Sequence, residues 1–158
     1  MIKSWMVIGA VTLLVGFLGS QVLSKEDTRW FERLQRPQWL TFEKAIPIIW
    51  TVIFIAAAWS AYIVWEKDPG SQTSWILMGV YLFLELLTMA YNVLMCKFKS
   101  LLVGTLVGAT CVLVSSLLAV AVWDISQAAS LLLLPYILWS PIGTYTTWEM
   151  LKLNPADR

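Results

Sequence analysis

The 158-residue sequence has no histidine and little charge of either sign. Without an imidazole, the chain lacks a Ser-His-Asp or Cys-His nucleophile, a His-ligated zinc ion and a His-anchored haem iron. Charged residues make up 13% of the chain, and 11 basic against 10 acidic side chains leave a formal net charge of +1. No nucleic-acid partner is expected, because phosphate binding needs a basic surface. We also expect no metal site and no resident cofactor.

Cysteine is scarce as well, with only Cys96 and Cys111 in the chain. Their spacing matches no metal-binding or redox motif, and both fall in apolar segments. We therefore interpret them as small apolar side chains.

Apolar residues are abundant, at 59% of the chain, against roughly 45–50% in a soluble domain. Charge-free runs cover residues 4–24, 45–65, 100–123 and 125–148, and a fifth run, 71–96, carries only Glu85. A helix of 21 residues reaches about 31 Å, close to the thickness of the hydrocarbon core of a bilayer. We predict an all-α fold, an integral membrane bundle of five transmembrane helices forming one domain over residues 1–158.

The first run could be mistaken for a signal peptide, but it exceeds the usual apolar length and no A-x-A site follows, so we interpret it as an uncleaved span. Residues 25–44 form the one long connection. The side of the membrane that holds this loop carries nine basic residues, and the other side carries Lys3 and Lys67. The positive-inside rule then predicts an N terminus outside and a C terminus in the cytoplasm.

Tryptophan is the most unusual residue, with ten copies. Two flank the first loop, Trp30 and Trp39, and three lie inside spans, Trp50, Trp59 and Trp139. The other five fall at span ends, where amphipathic rings are enriched at the membrane interface. These belt residues are Trp5, Trp65, Trp75, Trp123 and Trp148.

A set of aromatic and hydrogen-bonding residues from four spans lies at similar depth, within about 14 Å of the cytoplasmic boundary at 1.5 Å per residue. The set comprises Gln21, Trp50, Phe54, Thr88, Tyr91 and Trp139. It could form an aromatic cavity for a flat, mostly apolar ligand, with residues 30–44 as its lid. Ordinary bundle packing would give the same pattern, and both interpretations stay open at this point.

The third span carries a polar stripe. Tyr81, Glu85, Thr88 and Asn92 fall within about 60° of one another at 100° per residue. An ionised carboxylate at the bilayer centre costs about 2.5–3.5 kcal/mol, and no span offers it a basic partner. We predict that Glu85 is protonated, or that it reaches a wet cavity or a partner hydroxyl; a functional role and a contact between helices or subunits both fit.

Small residues recur at four-residue intervals in the first and fourth spans, a pattern that serves either dimerisation or packing inside one bundle. Pro135 and Pro141 flank Trp139 in the fifth span, where they free backbone carbonyls and bend the helix.

Three stretches of the chain resemble a known family, the tryptophan-rich TspO/translocator proteins, also called the peripheral benzodiazepine receptor family. They are Trp30-Phe31-x-x-Leu34-x-Arg36-Pro37-x-Trp39, then Trp50 with Ala61-Tyr62-Ile63-Val64-Trp65, and Leu134-Pro135-Tyr136-Ile137-Leu138-Trp139-Ser140 continuing to Gly143-Thr144-Tyr145. The chain departs from the family at Leu40-Thr41-Phe42, where Pro-Pro is usual, and at Thr88, where Asn is usual. The family's cholesterol pattern is not kept after Tyr145.

The resemblance implies a membrane protein, often a homodimer, that binds porphyrins or related tetrapyrroles between its helices under the first loop. Carried over by position, it implies a ligand site of Gln21, Phe31, Trp39, Trp50, Phe54, Thr88, Tyr91, Trp139 and Gly143. It also implies a role for Trp50 and Trp139 if porphyrin is degraded oxidatively in light. The compact chain favours a bacterial cell membrane.

The leading hypothesis is a non-enzymatic porphyrin-binding protein that acts as carrier, buffer or stress-linked sensor. Porphyrin would stack on Trp50 and Trp139, with Thr88, Tyr91 or Glu85 as polar anchors. Basic residues of the loop, Arg29, Arg33 or Arg36, could pair with the propionates. The alternatives are a light- and oxygen-dependent porphyrin-degrading enzyme and a proton-coupled transporter that uses Glu85.

Overall fold

A computed structural model describes residues 3–158, and within that range the chain is helical with no strand. Five apolar helical segments are long enough to cross a membrane, which confirms the predicted all-α membrane bundle. The helices are α1 (Ser4–Gln21), α2 (Lys25–Arg33), α3 (Ile46–Lys67), α4 (Gln72–Phe98), α5 (Leu101–Trp123), α6 (Gln127–Leu131) and α7 (Leu134–Leu153).

Serine caps fix where several helices begin. The Ser24 hydroxyl accepts the backbone N–H of Asp27, and the Asp27 carboxylate accepts the backbone N–H of Ser24, so α2 starts with a reciprocal capping box. This cap explains why α1 ends at Gln21 although the charge-free run continues to Ser24. The first loop therefore contains a helix of its own, α2.

The last apolar run is divided in two. The short helix α6 ends at Leu131, and α7 begins at Leu134 with Pro135 in its first turn, where the missing N–H costs no helical hydrogen bond. Together α6 and α7 make the fifth apolar segment, Gln127–Leu153, which runs past the predicted boundary at Trp148.

Helix α5 packs closely against α4 and α7 through its glycines. A Cβ added at Gly104 would lie 2.6 Å from the Met95 sulfur, and one at Gly108 would lie 2.6 Å from the Thr144 hydroxyl. The small-residue spacing of α5 therefore serves packing inside the bundle. On α1, a Cβ added at Gly16 would meet no atom within 4 Å.

A small apolar cluster fixes the first loop to the ends of the long helices. Trp30 and Leu34 are each 4% exposed and pack with Met95, Leu101 and Met150. Burying an aromatic and a leucine side chain contributes about 1.5–3 kcal/mol each. This cluster places α2 and the following residues directly over the region between α3, α4 and α7.

The outer surface of the bundle is apolar, as a lipid-facing surface must be. Leu13 is 75% exposed, Val120 is 72% exposed, and Trp59 is 60% exposed. Trp59, which has no position in the predicted belt or cavity, thus faces outward from α3.

Candidate functional site

A cavity of about 510 Å³ lies between the long helices beneath the first loop. Ligand pockets in proteins are typically a few hundred to a thousand cubic ångströms, so this space suits a small molecule. Helices α3, α4, α5 and α7 form its walls, and residues of the first loop close it. Its helical lining includes Trp50, Phe54, Thr88, Met89, Tyr91, Asn92, Gly108, Cys111, Tyr136, Trp139, Ser140, Gly143, Thr144, Thr146, Thr147 and Met150, and the loop contributes Phe31, Leu40 and Glu43.

Aromatic rings form much of the cavity wall. Trp50 meets Tyr136 edge to face, with ring centroids 5.8 Å apart, and contacts Phe54 at 6.0 Å. On α7, Trp139 contacts Phe42 of the first loop at 6.1 Å in a similar edge arrangement. Edge-to-face contacts between aromatic rings stabilise their orientations, so both indoles are held in place before a ligand arrives.

Hydroxyl groups form the polar part of the lining. The Thr88 hydroxyl lies 2.6 Å from the Tyr136 hydroxyl, and the Tyr91 hydroxyl is hydrogen-bonded to that of Thr147. In the part of the chain that the structure describes, every buried side-chain nitrogen or oxygen has a hydrogen-bond partner. The cavity thus combines aromatic surface with a few fixed polar groups, as small-molecule sites generally do.

Seven of the ten predicted site residues border this cavity: Phe31, Trp50, Phe54, Thr88, Tyr91, Trp139 and Gly143. The other three, Gln21, Trp39 and Glu85, lie elsewhere.

Trp39 lies on the outer side of the first loop and is 40% exposed. Its indole N–H donates to the Glu149 carboxylate at 2.5 Å, and its ring stacks on Tyr145 at 6.1 Å. Gln21 ends α1 and is exposed, with its amide donating to the Ser20 hydroxyl. Trp39 therefore anchors the loop to α7, while Gln21 is not among the residues that border the cavity.

Glu85 contacts α1 and is not among the residues that line the cavity. Its carboxyl accepts a hydrogen bond from the Thr12 hydroxyl at 2.5 Å. Of the alternatives predicted for Glu85, the structure therefore shows the partner hydroxyl. The rest of the polar stripe also faces protein: Tyr81 bonds to Ser60, Thr88 bonds to Tyr136, and Asn92 borders the cavity.

Sequence reasoning missed most of the face that α7 presents to the cavity. Tyr136, Ser140, Thr147 and Met150 were not predicted, although with Gly143 they recur every three or four residues, the spacing of one helix face. That spacing around Trp139 is visible in the sequence and could have identified them. Glu43 and Asn92 were missed as well. The polar stripe that Asn92 shares with Thr88 could have identified it, whereas no local pattern marks Glu43 as a lining residue.

The first loop is fixed over the cavity by contacts with the C-terminal end of the chain. The Trp30 indole donates to the Asp157 carboxylate at 2.8 Å, and Arg33 pairs with the same carboxylate at 2.6 Å. The Asn154 side chain bonds to the backbone of Gln35 in both directions, at 2.9 and 3.0 Å.

Two of the loop arginines proposed to hold propionates have partners in the protein. Arg33 binds Asp157, while Arg36 donates to the backbone carbonyls of Phe31 and Leu34 and lies 3.3 Å from Glu43. The Arg36 guanidinium also stacks over the Phe31 ring, 4.7 Å from its centroid. Arg36 therefore organises the loop, and Phe31 in turn borders the cavity.

Ion pairs join α2 to the end of α4. The Lys97 ammonium lies 2.6 Å from the Asp27 carboxylate, and Lys99 pairs with Glu26. The Lys97 hydrogen bond, with the two from Ser24, lowers the pKa of Asp27 to about 2, and the bond from Lys99 lowers the pKa of Glu26.

These lowered pKa values predict acid sensitivity of the loop. A carboxylate whose pKa is lower in the folded state adds stability above its unfolded pKa, and this is lost as the pH falls through the folded value. For Asp27 the loss should run from about pH 4 or 5 down to about 2. We expect the thermal unfolding midpoints of wild type and Asp27→Asn to differ at pH 6. The two midpoints should converge as the pH falls toward about 2, the pKa of Asp27 in the folded protein. A constant difference across this range would contradict the assignment.

Comparisons with known proteins agree on one family. The model of the TspO/MBR family matches residues 7–153. The chain is 28% identical to a tryptophan-rich protein TspO of Bacillus cereus, over 87% of this chain and 89% of that protein. It is 30% identical to a tryptophan-rich protein TspO of Chlorobaculum tepidum, over 90% of both, and 27% identical to a translocator protein of Ovis aries, over 90% of this chain and 85% of that protein.

Proposed function

The chain belongs to the TspO/MBR family, and from that membership and its cavity we propose that it binds a porphyrin or related tetrapyrrole beneath its first loop. We infer a role as a membrane carrier, buffer or sensor of such a ligand. The observation that carries the proposal is the aromatic cavity, with Trp50 and Trp139 on two different helices of one space of about 510 Å³. A flat conjugated ligand gains both apolar burial and ring contacts in such a space.

A related proposal concerns the orientation of the chain. The first loop, the adjoining end of α4 and the C-terminal end of the chain from the last turn of α7 together carry nine of the 11 basic residues. The positive-inside rule then favours a cytoplasmic cavity mouth with the N terminus on the other side. A location in the bacterial cell membrane stays a prediction, as does the homodimer expected from the resemblance.

The two cavity tryptophans provide the test of the binding proposal. We expect protoporphyrin to bind the wild-type protein saturably in zwitterionic nanodiscs, and the Trp50→Phe, Trp139→Phe double variant to bind about tenfold more weakly, since each indole loses ring contact area worth roughly 0.5–1.5 kcal/mol. The measured quantity is the dissociation constant from the shift of the porphyrin absorption band.

The matched control is Trp59→Phe with Trp75→Phe. These indoles are 60% and 63% exposed on the outer surface, so their removal should leave the dissociation constant unchanged. Equal weakening by both double variants, or no saturable binding by the wild type, would contradict the proposal.

One contact favours a second function. Trp50 and Tyr136 are in ring contact at the cavity wall, and an indole placed there could relay electrons from light-excited porphyrin to molecular oxygen, so that the porphyrin is oxidised, the oxygen is reduced and the indole is regenerated. The enzyme would then degrade porphyrin in light, and illuminated samples of the same titration would lose porphyrin absorbance faster with wild type than with the Trp variant. Glu85, on which a proton-coupled transporter would depend, lies outside the cavity.

A further inference from the structure

We propose that the ligand reaches the cavity sideways from the bilayer, through an apolar groove between α3 and α7, with Trp139 as the residue that separates the groove from the cavity. This inference rests on the proposed function, since it concerns the route to the same cavity. The ligand class is a flat molecule whose apolar body dissolves in the hydrocarbon of the membrane. Two features carry the inference: the groove and the cavity share a wall, and the first loop is fixed more firmly than that wall.

The groove is a second hollow, of about 320 Å³, on the outer surface of the bundle. Ile48 is 68% exposed and Leu138 is 66% exposed, so the hollow opens toward lipid. Its lining is aliphatic and aromatic, and it consists of Ile48, Ile49, Val52 and Ile53 of α3 and Pro135, Leu138, Trp139 and Ile142 of α7. Such a surface can contact the face of a conjugated ring without taking a polar group out of water.

The position of the groove along α3 suits a ligand that carries charges at its edge. The groove begins at Ile48, in the first turn of α3 and shortly after Lys44, the last charged residue before the helix. It therefore starts at the membrane boundary and continues into the hydrocarbon. A macrocycle can lie there with its ring in lipid while its carboxylates stay hydrated at the level of the headgroups.

Trp139 is the one residue between positions 3 and 158 that lines both the groove and the cavity. Its neighbours on α7 divide between the two spaces. Leu138 and Ile142 line the groove, while Ser140 and Gly143 line the cavity. The Trp139 ring therefore forms the partition, and a change of its side-chain rotamer joins the two spaces.

The Trp139 ring is held less firmly than the other cavity indole. In the described part of the chain it has one aromatic contact, with Phe42 at 6.1 Å, whereas Trp50 contacts both Phe54 and Tyr136. The contact with Phe42 keeps the ring in place while the cavity is closed. Displacing Trp139 breaks that single aromatic pair.

Helix α7 is also weakened next to this ring. Pro141 lies inside the helix and has no N–H to donate to the Ile137 carbonyl, one turn earlier. The helix packs mainly against α5 and much less against α3, so the seam between α3 and α7 is its weaker side. A small bend at Pro141 therefore opens the groove while the contacts with α5 stay in place.

The alternative route, from water beneath the first loop, requires several anchors to break together. Trp30 and Arg33 both bind Asp157. Asn154 binds the backbone of Gln35 in both directions. An apolar ligand on this route would in addition have to leave the bilayer for water, which the hydrophobic effect opposes. The side route keeps the ligand in lipid.

The first test fills the groove without altering the cavity lining. In the double variant Val52→Trp, Leu138→Trp, reconstituted in zwitterionic vesicles, protoporphyrin should bind and leave roughly tenfold more slowly than in wild type, with an unchanged dissociation constant. An obstructed route slows both directions equally, and neither residue borders the cavity. The measurement is the time course of the porphyrin absorption shift, first after mixing and then after addition of excess empty vesicles. Uptake by protein-free vesicles gives the rate of the lipid step.

The matched control is Leu113→Trp, Val120→Trp, which makes the same replacements at exposed positions of α5 and should bind and release at wild-type rates. Wild-type rates in the groove variant, or equal slowing in both double variants, would overturn the proposed route. Absence of saturable binding by the wild type at equilibrium would instead refute the proposed function.

The second test holds the first loop shut and leaves the groove as it is. Arg33→Cys with Asp157→Cys replaces an ion pair by two thiols that a short, reducible cross-linker can join, while the native Cys96 and Cys111 are buried. We expect the clamped protein to take up protoporphyrin at a rate within about twofold of that after reduction of the cross-link. A larger slowing by the clamp, reversed on reduction, would place the route under the loop and overturn the inference. This result does not depend on whether the groove variant folds.

Discussion

Replacing Gly143 with leucine is expected to weaken porphyrin binding by roughly a hundredfold while leaving the thermal unfolding midpoint near its wild-type value. Gly143 borders the cavity on α7, and a Cβ added there would meet no protein atom within 4 Å. The added Cβ therefore meets no clash, and we expect the rest of the leucine side chain to extend into the cavity. A ligand would have to share that space with it, and overpacking of this kind costs about 1–3 kcal/mol.

The matched control is Gly79→Leu, in which the added Cβ also meets no atom within 4 Å but the position is exposed on α4. Both variants replace a glycine inside a helix with leucine, a better helix former, and this should stabilise each helix by about 1 kcal/mol. The dissociation constant should change only in Gly143→Leu. Equal binding by the two variants would show that the ligand does not use this part of the cavity.

The second large effect is expected on stability, at Gly104. A Cβ at this position would lie 2.6 Å from the Met95 sulfur and 3.2 Å from a Thr147 methyl carbon, where α4, α5 and α7 meet. Gly104→Leu should destabilise the protein by about 3 kcal/mol, because the helices must move apart to admit the side chain. The measurement is the free energy of unfolding in mixed micelles.

Gly16→Leu is the control for this prediction. Its position on α1 has no atom within 4 Å of an added Cβ, so the substitution should be neutral or slightly stabilising. Comparable losses of stability at the two positions would contradict the assignment of the α5 glycines to packing within one bundle.

The transmembrane helices follow directly from the sequence because lipid imposes a simple rule on them. A segment that crosses the hydrocarbon core must form all its backbone hydrogen bonds within the protein and must carry almost no charge. Runs without charged residues therefore mark the spans. Where boundaries shifted, local features of the chain explain the change: Ser24 caps the start of α2, and Pro135 lies in the first turn of α7, after the end of α6.

The depth of residues along the spans is also readable from sequence, since each residue adds a fixed rise. Counting depth grouped Trp50, Phe54, Thr88 and Trp139, which border one cavity in the structure. Depth does not determine which way a side chain faces around its helix. Glu85 lies one turn from Thr88 on α4, yet its carboxyl bonds to Thr12 of α1 and does not border the cavity.

The position of the first loop could not be predicted because its anchors are remote in sequence. Trp39 belongs to the loop motif, but its indole bonds to Glu149, 110 residues away, and so lies outside the cavity. The bond from Trp30 to Asp157 spans 127 residues. No local pattern reports such contacts, and the loop conformation depends on them.

We propose the aromatic cavity under the first loop as the tetrapyrrole site. Its most direct test is anomalous diffraction from crystals of the protein with a bromine-labelled porphyrin, which locates the ligand independently of any variant. We predict bromine peaks between α3 and α7, next to Trp50 and Trp139. Peaks confined to the lipid-facing surface, with the cavity unoccupied, would contradict it.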